Sequence, residues 1–117
     1  MKRVLIADDE EMVRRTLKGA LSTLAVEVQE AVDGQQALEL ALREDFDLVI
    51  TDYKMPRLVG LGLLAGCRRK HPQLPFIIVS GQGPENLDRV DEVCFLQKPF
   101  SCEDLLSLVR YLLDLPS

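Results

Sequence analysis

The chain of 117 residues carries 14 Lys and Arg against 19 Asp and Glu, a formal charge of −5, with 47% hydrophobic and 28% charged residues. This is ordinary usage for one globular domain, able to bury roughly two thirds of its extended surface, and it argues against disorder. The acidic balance and the 5% aromatic content count against a stand-alone duplex-binding or anionic-membrane surface, since both need concentrated Lys and Arg.

A short apolar run, Arg3–Ala7, opens the chain as a strand and stops at Asp8-Asp9-Glu10-Glu11, too soon for a signal peptide. After these acids, Val13, Leu17, Ala20, Leu21 and Leu24 recur at helical spacing, with Arg14, Arg15 and Lys18 expected on the outside. Val26–Ala31 is a weaker strand. Asp33-Gly34-Gln35-Gln36 reads as a capping box for a second helix, with Leu38, Ala41 and Leu42 expected to face inward. Leu48–Thr51 is the third strand, and a third helix from about Val59 to Lys70 is stopped by His71-Pro72.

Pro75–Ser80 forms the fourth strand and Val93–Gln97 the fifth; residues 83–92 between them are polar apart from Leu87 and Val90, room for only a short helix. Ser101, with Asp104 following, caps a last helix whose Leu105, Leu108, Val109 and Leu112 point to the core. Leu106 and Leu113 widen that stripe, which fits a partner surface as well as ordinary packing. Cys67, Cys94 and Cys102 make no CxxC pair and are odd in number, so neither a disulfide framework nor, with His71 the single histidine, a His/Cys zinc site is expected. No apolar run approaches the roughly 20 residues of a membrane span, and the expected location is the cytoplasm.

Continuously apolar strands such as Val4-Leu5-Ile6-Ala7 and Phe76-Ile77-Ile78-Val79, alternating with helices, predict an α/β domain: a doubly wound parallel sheet covered on both faces. Function in such sheets lies beyond the carboxyl ends of the strands. Asp8 and Asp9 follow the first strand, Asp52 the third, Ser80-Gly81 the fourth and Lys98-Pro99 the fifth. Two like charges about 4 Å apart repel by roughly 4 kcal/mol at an effective dielectric near 20, so a gathering of acids calls for a cation. Oxygen ligands without thiolate or imidazole favour Mg²⁺. Metal, ammonium and hydroxyl around a carboxylate suit phosphoryl transfer with that carboxylate as the nucleophile. The acidic run alone reads equally as a charged helix N-terminus, and Ser80-Gly81 alone as an ordinary turn.

In Val4-Leu5-Ile6-Ala7-Asp8-Asp9-Glu10, Asp47-Leu48-Val49-Ile50-Thr51-Asp52-Tyr53-Lys54-Met55-Pro56, Ile77-Ile78-Val79-Ser80-Gly81 and Leu96-Gln97-Lys98-Pro99-Phe100, the chain resembles the receiver domains of two-component response regulators over its whole length. The resemblance implies one receiver domain over residues 1–117, with a flavodoxin-like, CheY-like sheet of five strands in the order 2-1-3-4-5. Asp52 would accept a phosphoryl group from a histidine kinase or a histidine phosphotransfer domain. Asp8, Asp9 and Asp52, with the backbone carbonyl of Lys54, would hold Mg²⁺. Lys98 would pair with the phosphoryl group, and Ser80 and Phe95 would act as the switch. The Lys98–Pro99 peptide would be cis.

The sequence departs from the family pattern in three places. Val59 stands before Gly60 where receivers usually have an acid. Lys98 follows Ser80 by only 18 positions, which implies a shortened fourth helix. Lys54 and Gln82 occupy the positions that gate water, and are expected to tune the phosphorylated lifetime. The implied role is phosphorelay signalling, with a downstream protein target or a homodimer engaged through residues 83–113, no direct nucleic-acid binding and no membrane insertion. Four residues follow the last helix, compatible with a free-standing messenger, a relay, or a piece of a hybrid kinase. The alternatives are a docking module that works without phosphorylation and an enzyme on the same architecture. Flavodoxin-type binding fits poorly because Asp8-Asp9 replaces a phosphate-wrapping loop. An aspartyl phosphatase usually needs a second acid where Lys54 stands.

Overall fold

The computed structural model describes residues 1–53, 60–81 and 93–115. Five strands, β1 (Lys2–Ala7), β2 (Val26–Ala31), β3 (Leu48–Asp52), β4 (Phe76–Ser80) and β5 (Val93–Gln97), pair in parallel in the order β2-β1-β3-β4-β5. Four helices are seen among the described residues: α1 (Glu11–Leu21), α2 (Gly34–Arg43), α3 (Gly60–Lys70) and α4 (Cys102–Leu113). The expected short helix over 83–92, together with Val59, Lys54 and Gln82, lies outside the described residues.

Alternation along the buried strands divides the core in two. Val4, Ile6, Leu48, Ile50, Ile77 and Val79 pack beneath α1 and α4, whereas Leu5, Ala7, Val49 and Phe76 pack beneath α2 and α3. Both faces are covered, so β1, β3 and β4 read as unbroken apolar runs. The edge strand β2 has exposed Glu27 and Gln29 between half-buried Val26, Val28 and Glu30, which is why its signal in the sequence is weaker.

The helix caps form as the sequence implies. Asp33 Oδ1 accepts from the Gln36 N–H at 2.8 Å, but Gln36 Oε1 reaches one residue further back than in the usual box, accepting from the Val32 N–H at 2.8 Å. Ser101 Oγ accepts from the Asp104 N–H at 3.0 Å. The inward face of α2 differs from expectation. Ala37, Leu40 and Ala41 are buried, while Leu42 is 41% exposed and Leu38 is half-buried on the flank facing α3. There α2 and α3 approach so closely that a Cβ added to Gly66 would lie 2.7 Å from Leu38 Cδ1. On α4, Leu105, Val109 and Leu113 are buried and Leu106, Leu108 and Leu112 flank them against the same core, so the wide stripe is packing surface.

Candidate functional site

The register of the sheet assembles the site. Ala7 pairs with Thr51, so the next residues, Asp8 and Asp52, leave neighbouring strands side by side. Ser80, which ends β4, pairs with Gln97, and its carbonyl accepts from the Lys98 N–H at 2.8 Å, fixing Lys98 at the same rim. The Lys98–Pro99 peptide is cis. Asp8, Asp52, Ser80 and Lys98, which the sequence spreads over 91 residues, thus share one end of the sheet.

The Asp8 side chain is the most confined of these groups. The residue is 1% exposed, and Asp8 Oδ1 accepts from the Glu10 N–H at 2.9 Å. Burial pushes its carboxyl up to about 6, and the charges of Asp52 and Asp9 push the same way; the Glu10 N–H and Lys98 oppose them. Asp52, whose side chain is 12% exposed, has Lys98 Nζ 3.7 Å from its Oδ1, close enough for charge pairing but too far for a hydrogen bond. Ser80 is buried at the end of β4. Phe95, opposite Ile78 in β5, is half-buried.

Carboxylate oxygens of Asp8, Asp9 and Glu10 lie within 4.8 Å of one another. Glu10 is the member that strand-end reasoning passed over; it sits in the quoted acidic run, but only the turn made by its N–H to Asp8 shows that it folds back. An oxygen-only donor set with a buried carboxyl destabilised as the anion fits Mg²⁺ better than a softer ion. Cys67 fits no such role: it is buried in the core, where burial raises its thiol to about 11.

The profile of the response regulator receiver domain matches residues 4–110. The chain belongs to the receiver domain family of response regulators. Among its relatives, the sensor kinase CckA of Brucella abortus is 37% identical over 117 residues, covering 95% of this chain and 12% of that protein. The response regulator MprA of Mycolicibacterium vanbaalenii is 35% identical over 115 residues, covering 95% of this chain and 50% of that protein. The chain therefore spans half or less of these relatives' length. Among solved structures, the chemotaxis protein CheY4 of Vibrio cholerae superposes with a TM-score of 0.87 at 27% identity, covering 96% of this chain and 98% of that one. Receiver domains are signalling modules of two-component systems rather than stand-alone enzymes, and generally bind Mg²⁺ at an acidic cluster like this one. No helix among the described residues is long and apolar enough to cross a membrane.

Proposed function

We propose that Asp52 is the phosphoacceptor of this receiver, loaded by a histidine kinase or a histidine phosphotransfer domain. The observation that carries this is the position of Asp52 between a buried carboxyl, Asp8, and an ammonium, Lys98, at the end of a buried strand. An Asp52 oxygen attacks phosphorus in line, a P–O bond forms as the P–N bond of phosphohistidine breaks, and the electron pair leaves with the imidazole. Lys98 balances the charge on the transferred group, and Ser80 donates its hydroxyl to one phosphoryl oxygen. Asp8, Asp9 and Asp52, with the Lys54 carbonyl, would hold Mg²⁺, and Glu10 is a further carboxylate within reach of Asp8 and Asp9. When bound, the ion supplies positive charge against the phosphoryl oxygens.

The new charge and acceptors draw Ser80 toward the phosphoryl group and bias Phe95 and the surface over residues 83–113, where a downstream protein or a second copy docks. Lys54 and Gln82 set the lifetime by controlling water. Identical dephosphorylation rates for Lys54→Ala and the parent would remove Lys54 from that role. A domain with this role works in the cytoplasm, where its three free cysteines would stay reduced. Titration with the phosphate mimic beryllium fluoride separates this function from docking without phosphorylation. The expected result is a Mg²⁺-dependent rise in Tm with amide shifts at Ser80 and Phe95; an unchanged spectrum and Tm would favour the docking module.

A further inference from the structure

Arg14 was expected on the outer face of α1, yet its side chain is only 12% exposed. Its Nη1 donates to the backbone carbonyl oxygen of Asp8 at 2.8 Å, and its Nε donates to Glu30 Oε1 on β2 at 3.3 Å. Lys18 Nζ lies 3.4 Å from Glu30 Oε2, so the carboxylate is shared by two cations. The carbonyl that Arg14 grips belongs to the peptide joining Asp8 to Asp9. Its direction fixes the backbone angles on either side and with them the relative aim of the two carboxylates. The other end of the turn is held by the Asp8 N–H, which donates to the Ala31 carbonyl oxygen at 3.2 Å.

We infer that Arg14 is a positioning residue for the Asp8–Asp9 cation site, clamping the turn that aims both acids while Glu30 orients and neutralises the guanidinium. This rests on the phosphoacceptor reading of the rim. Without the Glu30 partner, a cation so near the acids would compete with a bound metal. With it, the guanidinium charge is spent locally and its donors remain available to the carbonyl. Residues that orient metal ligands act on affinity without touching the ion, typically by 10–100-fold.

The test compares the parent chain with Arg14→Met, which keeps an apolar stem and removes the donors, and Arg14→Lys, which restores a charged donor. Mg²⁺ affinity is measured by isothermal titration calorimetry, metal-free Tm by thermal unfolding, and acetyl phosphate labelling across a Mg²⁺ series. The expected result for Arg14→Met is Mg²⁺ affinity weakened roughly tenfold, with labelling impaired at low Mg²⁺ and restored at saturation. Arg14→Lys should recover part of the affinity. A lowered Tm with unchanged Mg²⁺ affinity would mean that Arg14 only ties α1 to β2, and the inference fails. Labelling that saturating Mg²⁺ does not restore also overturns it. If Arg14→Met does not fold, Glu30→Gln reads the same link: weakened Mg²⁺ binding supports the clamp and parental binding refutes it. A parent chain that binds no Mg²⁺ sinks the phosphoacceptor reading and this inference together, whereas a normal parent with normal variants sinks the inference alone.

Discussion

The two ends of the sheet both gather charge, and they handle it differently. At the amino ends, Arg3 is surrounded by its partners. Its Nη2 donates to Glu44 Oε1 at 2.7 Å and its Nη1 to the Asp45 carbonyl, Glu27 lies 3.7 Å away, and the guanidinium covers the Phe46 ring. The Arg3 N–H also donates to Asp47 Oδ2 at 2.8 Å. Glu27 and Glu44 there face the guanidinium and Asp47 an N–H, and the Glu27 and Glu44 side chains stay open to water. At the carboxyl ends, Asp8, Asp9, Glu10 and Asp52 converge with Lys98 as the ammonium beside Asp52, and the most buried acid is the one whose charged form is penalised. The well-compensated end stabilises the fold; the other end, where Lys98 and the Glu10 N–H offset only part of the acidic charge, is the one that the proposed function has receive a cation and a phosphoryl group.

The largest expected effect breaks the rim's remaining balance. Lys98→Ala should slow acetyl phosphate labelling of Asp52 about 100-fold, measured by initial rates at fixed Mg²⁺, because the ammonium 3.7 Å from the Asp52 carboxylate is gone. Next is Asp8→Asn in metal-free protein. With its folded-state carboxyl raised from 3.8 to about 6, Asp8 holds its proton more tightly folded than unfolded. Stability contributed by this group is therefore lost as pH rises from about 4 to about 6 and stays lost above that range. Urea denaturation with a chelator present should find Asp8→Asn more stable than the parent by about 2–3 kcal/mol at pH 7, the difference vanishing toward pH 4. A parent more stable than the variant at pH 7 would mean that the acid is not penalised. Smallest should be Arg3→Ala, which lowers Tm and leaves the labelling rate unchanged. A labelling defect there would erase the distinction between the two ends.

The buried strands were legible because double coverage leaves no reason for polar residues along them, and Val26–Ala31 and Val93–Gln97 have the expected bounds. Asp8, Asp52, Ser80 and Lys98 were legible because parallel strands place their carboxyl ends on one rim, so position along the chain converts directly to position in space. Arg14 was not. Helical periodicity assigns a charged residue to the outside, and nothing local announces a carbonyl acceptor 6 residues back or a carboxylate on β2 16 residues on. Leu42 was misassigned for a related reason: the helix presents Ala37 and Ala41 to the sheet, where small side chains permit close approach, and leaves a larger one in water. Apolarity gives the presence of a face, while its centre depends on what the helix packs against.

Intact mass after incubation with acetyl phosphate tests the central claim most directly. The expected product is the parent chain with a single phosphoryl group, formed with Mg²⁺, absent with a chelator, and absent from Asp52→Asn. A parent chain that stays unlabelled with Mg²⁺ present, or an Asp52→Asn variant labelled as fully as the parent, would contradict the assignment of Asp52 as the acceptor.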